Sequence, residues 1–110
     1  MALFSSKPDQ LRRLTKDLLA SNARKVTAGQ LKRWKNLMND TDGELVKEVL
    51  VLEELSAKPD VGLMLLEALP EWIAKLHVAY LGPLVPRLRQ LILKQRIASK
   101  KGLKLRGKPR

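Results

Sequence analysis

Apolar residues recur along the chain at the three- and four-residue spacing of helices that bury one face. Start signals support this pattern: Ser6 precedes Pro8 at the first helix, and Thr27 with Gln30 forms a capping box at the second. The spacing predicts five helices, at residues 8–20, 28–38, 43–56, 59–81 and 83–100. We therefore expect an all-α fold, a single compact bundle of about five helices.

The fourth predicted helix is apolar on nearly all sides, which is typical of a helix at the centre of a bundle. Its polar strip is narrow and consists of Glu67, Glu71 and Lys75, spaced four residues apart. Pro70 should kink or split it, because the proline ring clashes with the carbonyl of Leu66. The three interrupting charges also favour burial in protein over insertion into a bilayer.

Aromatic residues and histidine are few, and their positions favour structural roles. Trp34 lies among lysines and an arginine, where an exposed ring could stack on bases, but its helical spacing with Leu31 predicts a core residue. Trp72 and Tyr80, on the apolar fourth helix, are also predicted to be core residues. His77, the single histidine, is expected to be a satisfied core residue, not a metal ligand or a catalyst.

Charge adds the strongest functional indication, because it is divided into three blocks. Residues 1–38 carry a net charge of +7, residues 39–72 carry −7, and residues 73–110 carry +11 with no acidic residue. A surface that needed only solubility would mix the signs. Cations gathered at the two ends suit a polyanion, since each lysine or arginine that meets a phosphate releases counterions.

We therefore predict non-enzymatic binding of nucleic acid, mainly through the phosphate backbone, with DNA and RNA both open. Residues 1–100 are predicted to form the helical domain, and residues 101–110 a basic, flexible tail. Cations of the fifth helix and tail are the first candidates, namely Arg87, Arg89, Lys94, Arg96, Lys100, Lys101, Lys104, Arg106, Lys108 and Arg110. Cations of the first two helices and their connection are the second, namely Arg12, Arg13, Arg24, Lys25, Lys32 and Arg33.

A protein-interaction module is the alternative, either an adaptor that docks an acidic partner or a homodimer. Leu93 and Ile97 are one turn apart on the fifth helix, opposite its core stripe, and Val51 and Leu55 lie off the core face of the third. Exposed apolar pairs at this spacing indicate a docking face. Peripheral contact with anionic membranes is a third, less favoured interpretation.

Other classes of function lack their motifs in this sequence. The chain has no cysteine, no phosphate-binding loop and no nucleophile motif, so we expect no cofactor, no metal and no catalysis. The second and third helices could be drawn as a helix-turn-helix, but the third is acidic and would repel phosphate. We expect a cytoplasmic, nucleoid or nuclear protein and not a secreted one, since no signal peptide is recognisable.

Overall fold

Helices account for every secondary-structure element between residues 6 and 107. The computed structural model describes these residues, with side chains as far as residue 98. The elements are α1 (Lys7–Ala20), a 3-10 helix (Ala23–Lys25), α2 (Ala28–Asp40), α3 (Val46–Val49), α4 (Leu52–Ala57), α5 (Pro59–Ala68), α6 (Glu71–Leu76), α7 (Val78–Leu81) and α8 (Leu84–Gly107). The all-helical prediction is confirmed, but the third and fourth of the five predicted helices are each divided into shorter helices.

The first two helices begin at the predicted capping residues. The Ser6 hydroxyl accepts a hydrogen bond from the Asp9 backbone N–H at 3.3 Å, which satisfies one free donor of the first turn of α1. At α2 the Thr27 hydroxyl accepts from the Gln30 N–H at 3.1 Å. The Gln30 side chain accepts in return from the Thr27 N–H at 2.9 Å, so the capping box is complete.

A hydrogen-bonded tryptophan joins α1 to α2 inside the core. Trp34 is fully buried, as its spacing predicts, and its indole N–H donates to the Thr15 hydroxyl at 2.8 Å. The Thr15 hydroxyl donates in turn to the Leu11 carbonyl at 2.7 Å. The polar atom of the largest core side chain is therefore satisfied without access to water.

The predicted third helix is divided by a break at Leu50. The hydroxyl of Tyr80 donates to the Leu50 carbonyl at 2.8 Å, so a residue 30 positions away occupies this backbone acceptor. The chain turns there and restarts as α4, whose Leu55 is fully buried. The prediction that Leu55 lies on an exposed face is therefore wrong, because the break changes the angular phase of the helix that follows. Val51, at the break itself, is half-buried.

The apolar stretch from 59 to 81 is divided twice. Leu69 adopts an extended conformation before Pro70 (ψ 140°), as residues before proline prefer, and this ends α5. The predicted split at Pro70 is therefore observed. A second break at His77, whose φ is −108° and ψ 25°, separates α6 from α7, and the pattern did not predict it. His77 is half-buried at this junction.

Helix α5 packs against α1, α2, α4, α8 and the 3-10 helix. The approach to α4 is close, since a Cβ placed on Gly62 would lie 3.1 Å from the Leu55 Cβ. The turn after α2 packs as tightly: Gly43 has a φ of +69°, and an added Cβ would lie 3.0 Å from the Ile73 side chain. These glycines hold α4 and α6 against their neighbours.

Trp72 is not a core residue, which corrects the prediction. Its side chain is 47% exposed on α6, and its indole N–H donates to the Asn39 side-chain oxygen at 2.6 Å. Because the chain turns at Pro70, α6 does not continue the line of α5, and the predicted inward face of Trp72 is rotated outward. Within α6, Ile73 is the buried residue.

Candidate nucleic-acid interface

The position of α8 is fixed by its first half. Leu84 and Leu88 are buried in the core, Leu91 packs against it, and every described side chain from residue 93 to residue 98 is exposed. The backbone continues as helix through Gly107, beyond the predicted end at residue 100. Residues 93–98 of α8 therefore lie on the protein surface.

Four predicted phosphate contacts lie on the two flanks of α8. With Leu84 and Leu88 facing inward, helical periodicity places Arg87 and Lys94 on one side of the core stripe. Arg89 and Arg96 lie on the opposite side by the same periodicity, and all four side chains are exposed. Their arrangement on the described part of α8 agrees with the one that the sequence predicts.

None of these four cations forms a salt bridge with a described side chain. The salt bridges found there join Lys7 to Asp40 at 2.9 Å, Arg12 to Asp9 at 2.9 Å, Arg12 to Glu48, and Lys75 to Glu71 at 3.2 Å. Their cations come from α1 and α6, and none comes from the 3-10 helix, α2 or α8. The cations of these three elements whose side chains are described are therefore not paired with the protein's own carboxylates.

Arg12 is the exception among the predicted binding residues. Its guanidinium binds two carboxylates of the protein itself, those of Asp9 and Glu48. The hydrogen bond to Glu48 raises the pKa of Arg12, and the same contact lowers the pKa of Glu48. Both groups are held charged and paired, so Arg12 ties α1 to α3.

The two basic blocks approach each other at one place. A cleft of about 240 Å³ is lined by Asn22 and Ala23 from the start of the 3-10 helix and by Gln95 from α8. Arg24 and Lys25 follow immediately on one side, and both are exposed. Lys94 and Arg96 flank Gln95 on the other side. The fold therefore brings the 3-10 helix and α8 to opposite edges of one cleft.

The remaining candidates divide into two groups. Arg13, Lys32 and Arg33 are exposed on α1 and α2. Outside the described side chains lie those of Lys100, Lys101, Lys104 and Arg106, and Lys108 and Arg110 lie outside the described residues altogether.

The apolar pair on α8 is exposed, as the sequence indicates. Leu93 is 57% and Ile97 46% exposed, and the two lie one turn apart on the side of α8 that faces away from the core. Cations border the pair on both sides. This apolar surface has no partner among the described residues.

Four polar or charged residues of the cleft were not singled out from the sequence, namely Asn22, Lys58, Asp60 and Gln95. The Lys58 ammonium donates to the Ser21 carbonyl at 3.2 Å and lines the cleft beside Asn22. Lys58 belongs to the acidic block, and Asn22 lies in a loop, so neither carries a recognisable signal. Gln95 does carry one, because it occupies the next position of the core stripe after Leu88 and Leu91, where a buried helix would place an apolar residue.

A larger cleft, of about 540 Å³, lies between α1 and α3–α4. Its charged residues have both signs, with Lys16 and Lys58 facing Glu48 and Glu54, so it does not suit a polyanion. Within the described residues there is no group of three potential metal ligands. No helix of the described part is long and apolar enough to cross a membrane.

Comparison of the chain with protein-family models, with curated proteins and with solved structures finds no match. A functional hypothesis for this protein therefore depends on the site itself.

Proposed function

We propose that this protein binds nucleic acid without catalysis, mainly by contacting the phosphate backbone with cations of α8, the 3-10 helix and α2. The observation that supports the proposal is the absence of salt-bridge partners for these cations among the described side chains. The protein has carboxylates enough to pair some of them, yet its salt bridges use Lys7, Arg12 and Lys75 instead.

Electrostatics explains why this arrangement favours a polyanion. Exposed cations that are not paired with carboxylates produce a positive potential, which attracts a negatively charged polymer and speeds its association. Each cation that meets a duplex phosphate then contributes about 0.9 to the slope of log affinity against log salt, and about 0.7 for a single strand. Arg87, Arg89, Lys94 and Arg96 together could therefore account for a slope of about 3.6 on duplex DNA.

A salt series with charge-matched variants tests the proposal. Fluorescence anisotropy with labelled duplex DNA, single-stranded DNA and RNA would be measured from about 50 to about 200 mM salt, where phosphate contacts have their largest effect. The double variant Arg89→Gln/Arg96→Gln should reduce the duplex slope by about 1.8. Lys7→Gln/Lys75→Gln removes the same charge from cations that are already paired and should leave the slope nearly unchanged.

Two results would contradict the proposal. One is the absence of binding to any of the three nucleic acids at the lowest salt concentration. The other is an equal effect of the two double variants, which would mean that net charge alone, and not the position of the cations on α8, determines the affinity.

The exposed pair Leu93 and Ile97 favours a second candidate, a module that docks an acidic protein or a second copy of the chain. Apolar residues one turn apart in the middle of a cationic helix are not needed for phosphate contacts. Light scattering across a concentration series, with Leu93→Gln/Ile97→Gln for comparison, tests the homodimer. A mass that rises with concentration, and does so only with both apolar residues present, would support it.

A further inference from the structure

The cleft between the 3-10 helix and α8 has a chemistry different from that of its surroundings. The residues that line it are the small or apolar Ala23, Ala57, Pro59 and Val61 and the polar or charged Asn22, Lys58, Asp60 and Gln95. Phosphate-binding sites gather donors and exclude carboxylates. A carboxylate beside two amides, which both donate and accept, suits the edge of a nucleobase instead.

We propose that this cleft receives one unpaired nucleobase that carries an exocyclic amino group. This inference depends on the proposed nucleic-acid binding and specifies which class of base is preferred. The Asp60 carboxylate only accepts hydrogen bonds, and the Asn22 and Gln95 amides each offer one acceptor. Adenine, cytosine and guanine each carry an amino group that can donate to such acceptors, whereas thymine has none.

The surroundings of the cleft fit a strand that passes across it. Arg24 and Lys25 follow Ala23 on one edge, and Lys94 and Arg96 adjoin Gln95 on the other, and all four are exposed and without a salt bridge. These cations can hold the phosphates on either side of a base that turns into the cleft. Base edges of a regular duplex stay in its grooves, so the cleft requires an unpaired segment.

Lys58 links two of the segments that line the cleft. Its half-buried side chain donates to the Ser21 carbonyl at 3.2 Å, which links the end of α1 to the start of α5. This contact holds the cleft wall that carries Asn22 against the one that carries Asp60. The site is therefore built from three segments that the fold fixes relative to one another.

The experiment compares single strands that differ only in their base. Anisotropy would measure the affinity of the full chain for oligo(dA), oligo(dC) and oligo(dT) of equal length at one salt concentration. We expect oligo(dA), oligo(dC) or both to bind about tenfold tighter than oligo(dT), as one well-formed base contact provides. Asn22→Ala/Gln95→Ala should abolish this preference and leave both the affinity for oligo(dT) and the salt slope unchanged.

A matched variant provides the control. Asn36→Ala/Gln90→Ala removes the same two side-chain types from exposed positions on α2 and α8 that do not line the cleft, and it should keep the preference. Circular dichroism would verify that all variants remain helical. Equal affinity for the three strands, or a preference that survives Asn22→Ala/Gln95→Ala, overturns the base-binding inference and leaves the proposed function standing. Failure to bind any strand or duplex overturns both.

Discussion

The buried contact between Trp34 and Thr15 allows a quantitative test of the fold. Thr15→Val replaces the hydroxyl with a methyl group of similar size and removes the acceptor of the indole N–H. Trp34 is fully buried, so water cannot replace that acceptor. The Leu11 carbonyl also loses a donor, but it keeps its backbone partner within α1.

The expected cost follows from the unsatisfied indole N–H. A buried donor without an acceptor costs about 1–3 kcal/mol, so we expect Thr15→Val to lower the free energy of unfolding by about 2 kcal/mol. For a domain of this size that corresponds to a fall in the melting temperature of roughly 8–16 °C. Urea unfolding followed by circular dichroism measures the change, and an unaltered slope against urea would show that the unfolded state is the same.

A double-mutant cycle separates this hydrogen bond from packing effects. In a Trp34→Phe background a smaller aromatic ring remains and the N–H is gone, so adding Thr15→Val to that background should cost little. The two substitutions should therefore be coupled by at least about 1 kcal/mol. A coupling of less than about 0.5 kcal/mol, which is within the ordinary error of additivity, would refute the assignment of the Trp34–Thr15 bond as a stabilising contact.

Two further predictions concern helix packing and pH. Gly62→Ala should destabilise the protein by about 1 kcal/mol despite the better helix propensity of alanine, because its Cβ would lie 3.1 Å from the Leu55 Cβ. Gly29→Ala is the control, since its Cβ would lie 3.9 Å from the Thr27 hydroxyl oxygen, and it should be neutral or stabilising in the same urea assay. The hydrogen bond from Arg12 lowers the pKa of Glu48 below its ordinary 4.5, so this pair stabilises the fold above that pH and ceases to do so as the pH falls through the lowered pKa. Glu48→Gln should therefore reduce the difference in urea midpoint between neutral and acidic pH, and an unchanged difference would show that the pair contributes nothing.

Local sequence signals predicted the first two helices, α1 and α2, well. The caps at Ser6 and Thr27 act within one helical turn, so the sequence around them contains all the partners involved. Trp34 was correctly assigned to the core because α2 is one unbroken helix. The spacing of its apolar residues therefore identifies the same buried face along its whole length. Pro70 ended a helix for reasons that are local to the proline.

The middle of the chain could not be predicted in the same way. The break at Leu50 coincides with a hydrogen bond from Tyr80, which no pattern within the predicted helix reveals. Once that helix is interrupted, periodicity counted across the break assigns the wrong faces, and Leu55 was placed outside for this reason. Trp72, which follows Pro70, was placed inside by the same error.

The sequence predicts where the charged residues of the candidate site lie along the chain, but not which of them form salt bridges with one another. Segregated cations and carboxylates are visible in the sequence, but the choice of Arg12 as the partner of Glu48, 36 residues away, depends on how α1 and α3 pack. The cleft likewise needs the tertiary structure, since Asn22 and Gln95 are far apart along the chain. Gln95, a polar residue at a core-stripe position of α8, was the one sequence signal that indicated the cleft.

The difference between the buried first turns of α8 and its exposed residues 93–98 has a practical consequence. Its first turns anchor the helix through Leu84 and Leu88, whereas the side chains from residue 93 to residue 98 are all exposed. Mutations in that stretch can therefore accumulate, or be introduced as a randomised library, while the melting temperature stays constant. If these residues contact the proposed nucleic acid, their ligand preference can change on a scaffold that does not have to be rebuilt.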